Sequence, residues 1–90
     1  MKVWKYPIPF AGSVTHRIPI GAKPLHMAFQ DNTPMLWMAV DPDADQAYRD
    51  IYCIDTGGLD IPFGSDYLGT IVGPHTTWHY FWYPNKGVDK

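Results

Sequence analysis

Six consecutive aromatic or imidazole residues, Trp78-His79-Tyr80-Phe81-Trp82-Tyr83, constrain this chain more than any other feature. Bulky rings pack well on a pleated surface and poorly on an exposed helix, so the run favours a strand. On a strand Trp78, Tyr80 and Trp82 share one face, and His79, Phe81 and Tyr83 the other. One face can enter a core. The other needs a second sheet, a partner chain or a ligand, or it stays exposed. The run bears on architecture and carries no catalytic signature.

Nine prolines and eight glycines leave no room for a long helix elsewhere. Lys2 to Tyr6 reads as an edge or entry strand closed by Pro7 and Pro9. Val14, His16, Ile18 and Ile20 alternate with Thr15 and Arg17, and Pro19 marks that strand as an edge or bulge. Leu25, Met27 and Phe29 alternate with His26, Ala28 and Gln30 before the turn signal Asp31-Asn32. Met35 to Val40 is nearly continuously apolar and ends at Asp41-Pro42.

Residues 43–46 make a polar connection with room for one short helical turn. Tyr48 to Asp55 alternates again, setting Tyr48, Asp50, Tyr52 and Ile54 against Arg49, Ile51, Cys53 and Asp55. Thr56-Gly57-Gly58 turns the chain, and residues 59–66 form a loop carrying an Ile61-Pro62-Phe63 contact. Tyr67 to Val72 returns as a strand, and Gly73-Pro74 leads into the aromatic run. About seven short strands without an amphipathic helix predict an all-β fold, a small barrel or a two-layer sandwich of mostly antiparallel strands. The 35–40 and 78–83 segments, apolar on both faces, are the expected central strands. Residues 1–84 form the expected compact domain, with a polar tail at 85–90.

Charge bounds the partners. Seven basic against nine acidic residues give a formal net charge of −2, and no basic run is present. Long nucleic acids draw affinity from clustered Lys and Arg, so that class is disfavoured, although a small phosphate needs only one or two arginines. Only 18% of residues are charged against 46% hydrophobic, which makes a homo-oligomer an expectation. The lone Cys53 rules out an internal disulfide framework and lies in an apolar stretch, as a buried thiol does. With no secretory h-region and no membrane-length apolar stretch, a soluble cytoplasmic protein is the expectation.

Catalytic and metal signatures are weak. His16, His26, His75 and His79 show no ligand motif, and a four-residue spacing on a strand separates His75 and His79 by more than about 12 Å. Asp41-Pro42-Asp43-Ala44-Asp45 lacks the glycine and distal glutamate of a calcium loop and reads as a solvated turn. Ser13 and Ser65 have no nucleophile-elbow context, and Thr56-Gly57-Gly58 is too short for a phosphate-cradling loop. No enzyme, metal or cofactor is expected.

Ligand binding is the better-supported class. Arg17 and Arg49, the only two arginines, both lie within strands. Their forks suit phosphate or carboxylate, while Trp37, Tyr48, Trp78 and Tyr80 offer stacking faces and His26 or His79 a donor. The competing reading is that each arginine covers an aromatic neighbour and pairs with an acid such as Asp50 or Asp55.

The ordered set Tyr6-Pro7, Ile18-Pro19-Ile20-Gly21-Ala22-Lys23, Leu36-Trp37, Val40-Asp41-Pro42, Arg49, Asp55-Thr56-Gly57, Ile61-Pro62, Tyr67-Leu68-Gly69-Thr70 and Trp78-His79-Tyr80-Phe81 resembles a family of short, phage-encoded, uncharacterised β-rich proteins. The chain departs from that pattern in Trp82-Tyr83-Pro84 and the tail to Lys90. The resemblance supplies no catalytic residues. It implies an accessory product in the cytoplasm of the infected bacterial host, of the kind that counters host defence. Such a protein would sequester a nucleotide-like immune signal, block a host defence protein, or serve as a structural phage component. Arg17 and Arg49 among aromatics, and a subunit interface able to form a pocket, favour sequestration. Surplus Trp and Tyr favour a protein target as the alternative, and the leading expectation is a non-enzymatic protein that sequesters a nucleotide-like signal.

Overall fold

The computed structural model describes residues 1–83. Seven strands occur in chain order: β1 Lys2–Pro7, β2 Gly12–Pro19, β3 Lys23–Gln30, β4 Thr33–Val40, β5 Gln46–Asp55, β6 Asp66–Val72 and β7 Thr77–Trp82. All pairings are antiparallel, and the strands form a three-stranded sheet ordered β1-β4-β3 and a four-stranded sheet ordered β2-β5-β7-β6. The result is an open two-layer sandwich rather than a closed barrel. Among the described residues no helix is long and apolar enough to cross a membrane. The tail expected at 85–90 lies outside the described residues.

Turn chemistry sets the two hairpins. Asp31 and Asn32 both adopt left-handed backbone, at φ 53° and 65°, and join Gln30 to its register partner Thr33. Two such residues match the right-handed twist of the strands they connect, and Asp and Asn tolerate the conformation. In the second hairpin the Gly73 N–H donates to the Thr76 carbonyl across 2.8 Å, closing the turn between β6 and β7.

Strict alternation builds the core. Leu36, Met38 and Val40 of β4 are fully buried, as is Ile51 of β5, and Tyr80 and Trp82 of β7 join them. Each aliphatic side chain buried this way stabilises the fold by about 1.5–3 kcal/mol before chain entropy is counted. The expected central strands β4 and β7 are interior to their sheets, and β2, with Pro19 at its end, is an edge.

Two strands break the alternation. The register of β3 shifts between Pro24 and His26, leaving Leu25 as the extra residue. That of β6 shifts between Tyr67 and Gly69, and the extra Leu68 packs against the core. These bulged edges approach each other and draw the two sheets together on one side of the sandwich. A Cβ on Gly69 would stand 2.8 Å from the Met27 sulfur, so the missing side chain permits this approach.

Candidate functional site

Pleating sends the sequence-selected residues to different surfaces. Arg17 and Tyr48 are register partners on β2 and β5, both exposed on the outer face of the four-stranded sheet. His26 and Trp37 pair on the outer face of the other sheet, with ring centroids 6.0 Å apart. Arg49, Trp78 and Tyr80 share the inward faces of their strands with Ile51, Ile71 and Cys53. His79 faces outward on β7. The eight residues are therefore not gathered into one site, and the two arginines stand on opposite faces of one sheet.

The inward three are occupied by packing. The Arg49 guanidinium carbon lies 3.3 Å from the Trp82 ring centroid, and one of its terminal nitrogens donates to the Tyr83 carbonyl. At 8% exposure this is a largely desolvated cation stacked on an indole, the setting in which such contacts are strongest. Trp78 meets Phe10 and Phe29 edge-on, at 5.3 and 5.7 Å between centroids. The Tyr80 hydroxyl donates to the Pro9 carbonyl across 2.8 Å. Burial raises the Tyr80 phenol well above its ordinary range, with Cys53 beside it adding to the shift. It raises the Cys53 thiol too, the hydrogen bond to Tyr80 offsetting part of this, so neither group is poised for chemistry near neutral pH.

The outward half of the aromatic run meets the loop between β5 and β6. Phe81 is 7% exposed although it faces away from the core. Its ring contacts Tyr67 at 5.6 Å, and the loop residues Leu59 and Ile61 face it across a cleft. Ile54 and Phe81 form the floor of that cleft, which has a volume of ≈ 410 Å³. Thr56 and His79 are its polar lining, and Asp55 brings an acidic group to it.

His79 fixes the loop against the sheet. Its Nε2 lies 2.7 Å from the Thr56 hydroxyl and its Nδ1 lies 3.0 Å from the Thr70 hydroxyl, which in turn bonds Tyr67. Each hydroxyl can donate to or accept from the ring nitrogen it meets, so both bonds form in either tautomer. A hydroxyl beside an imidazole is the first half of a nucleophile–base pair. Here the second nitrogen is held by another hydroxyl instead of a carboxylate, and the chain of bonds joins the loop, β7 and β6. Its evident effect is to hold the loop in place. Among the described residues no group of three or more His, Cys or Asp side chains is placed to hold a metal.

The same loop corrects one expectation. Of the expected Ile61-Pro62-Phe63 contact only Pro62 is half-buried; Ile61 is 59% exposed and Phe63 98%, and Leu59 before them is 84% exposed. Backbone geometry explains the projection, since Gly64 takes φ 82° and Ser65 bonds back to the Pro62 carbonyl through both its N–H and its hydroxyl. Leu59 and Phe63 were not among the sequence-selected site residues. Their signal was available as three large apolar side chains at two-residue spacing inside a Gly- and Pro-rich connection. Beside this loop the outer face carries Tyr52 and Tyr83, edge to face at 5.8 Å, together with exposed Tyr67.

No curated protein and no solved structure gives a significant match to this chain. A family model described as a domain of unknown function, DUF7352, matches residues 1–89, and the chain therefore belongs to the DUF7352 family.

Proposed function

We propose that the domain is a non-enzymatic binding protein whose partner is another protein, seated on the outer face of the four-stranded sheet. The exposure of Leu59, Ile61 and Phe63 on one loop carries the reading. Large apolar groups in water gain by burial, and a patch of them beside Tyr67 and Tyr83 has the composition of an interface core. His79 ties the start of the loop at Thr56, and the Ser65–Pro62 bonds close the turn that carries Phe63, which reduces the ordering needed on binding. The partner surface is an apolar groove that takes Phe63. The resemblance to phage-encoded proteins supports an accessory role in the infected bacterial cytoplasm, with a host defence protein as the target. Replacing Phe63 or Leu59 with Ser is expected to abolish complex formation while leaving thermal stability unchanged. Retained binding by both variants would refute this.

Sequestration of a nucleotide-like small molecule is the second reading, and the Arg17–Tyr48 pair favours it. These register partners put a guanidinium fork beside an exposed ring, suited to a phosphate and a stacked base. The cleft under the loop suits a phosphate less well, because its charged residue is Asp55. Native mass spectrometry of protein from infected cells separates the two readings. A nucleotide released in fixed ratio to subunits, and lost in Arg17→Ala, supports sequestration, whereas empty subunits support the protein target.

A further inference from the structure

A sheet edge exposes unpaired N–H and C=O groups, and folds protect such edges with lysine, proline, bulges or cover. The sandwich has four edges. β1 carries Lys2, Lys5 and Pro7. β3 carries Lys23 and Pro24 with the bulge at Leu25, and β6 has its bulge at Leu68 and lies against β3. β2 has none of these devices along its length. Its eight residues hold an unbroken register with β5, contain no lysine and reach their one proline only at the last position. Among the described residues no other strand is paired to its outer side.

We propose that β2 is a self-association edge, on which a second copy of this chain pairs antiparallel to join two four-stranded sheets into one. The two faces of the sandwich restrict the register. Outward residues must meet outward residues, so the two-fold axis passes through a residue and not between two. An axis at His16 sets Arg17 of one copy opposite Thr15 of the other. Thr15 donates to the Asp50 carboxylate on the neighbouring β5, so exposed Arg17 comes within side-chain reach of Asp50 of the second copy. The operation is reciprocal, giving two such pairs, and it also sets Val14 opposite Ile18. This charge complementarity makes a second copy the occupant, in preference to an unrelated strand, and the low overall charge of the chain agrees with a partly covered surface.

A single strand pair buries a small area, and the dissociation constant is expected on the order of 1–100 μM. Sedimentation equilibrium of the full chain across that range tests the proposal. The wild type is expected to shift from 10.3 kDa to twice that mass as concentration rises. Arg17→Asp and Asp50→Arg are each expected to weaken association at least about tenfold, roughly 1.4 kcal/mol, with unchanged far-ultraviolet circular dichroism. The combined reversal restores opposite charges and is expected to recover the dimer. A wild type that stays monomeric at about 100 μM overturns the proposal. So does a dimer indifferent to both single reversals, or a combined variant that fails to recover.

Discussion

The Tyr80 hydroxyl reaches from the four-stranded sheet to the Pro9 carbonyl at 2.8 Å, tying β7 to the connection between β1 and β2. Tyr80 is fully buried, and the half-buried Pro9 carbonyl meets its hydroxyl at the border of the core. Tyr6 presents the opposite case. It too is buried, yet its hydroxyl has no hydrogen-bond partner among the described residues. Removing each hydroxyl therefore has opposite consequences. Tyr80→Phe should cost about 1–3 kcal/mol, because it strands the Pro9 carbonyl. Tyr6→Phe should be neutral or stabilising by about 1 kcal/mol, because it deletes an unsatisfied group. Urea denaturation of both variants, with unchanged slope, checks the contrast.

Arg49 should behave as a packing residue. Arg49→Ala removes a cation from the Trp82 face and a donor from the Tyr83 carbonyl. The expected loss is about 2–4 kcal/mol, with Arg49→Lys intermediate, because an ammonium replaces neither the planar stack nor the fork. Thermal melts of the three proteins measure this. Equal melting temperatures would contradict it.

Alkaline pH should weaken the fold. Burial leads the upward shift of both Cys53 and Tyr80, so the folded chain favours their neutral forms. Groups with raised folded values contribute stability that is complete below their unfolded values and fades as pH rises toward the folded ones. The loss should begin near pH 8.5 through the thiol and deepen above about 10 through the phenol. Denaturation midpoints across that range check the sign. Cys53 should also resist a thiol reagent at neutral pH until the chain unfolds.

Gly73 is held by space. A Cβ there would stand 2.5 Å from the Trp78 ring and 2.9 Å from the Thr76 carbonyl oxygen, so a turn and a packed indole would both have to move. Gly73→Ala should cost about 1–3 kcal/mol, lowering the melting temperature of a domain this size by several degrees. Differential scanning calorimetry against the wild type is the check.

Strand existence and facing were legible in the sequence because a two-residue period leaves a direct mark. Arg49 alternates with Ile51 and Cys53, which already sends it inward, while Arg17 shares a phase with Thr15. Strand order was not legible, since it depends on pairings such as Ile51 with Trp82 that no local pattern encodes. The bulges at Leu25 and Leu68 were hidden for the same reason, because an extra residue has meaning only against its partner strand. The aromatic run left its outward half without an assigned cover. That cover is Tyr67 together with the loop after β5, whose Leu59 and Ile61 face Phe81 across the cleft while staying largely exposed.

Photo-crosslinking from position 63 tests the proposed function most directly. With p-benzoylphenylalanine in place of Phe63, irradiation of infected cells should yield one dominant protein adduct, recovered far less from position 48. The adduct should be lost when Leu59→Ser is added. No adduct from position 63, together with a strong one from position 48, would contradict the loop as the anchor and move the contact to the Arg17–Tyr48 side of the sheet.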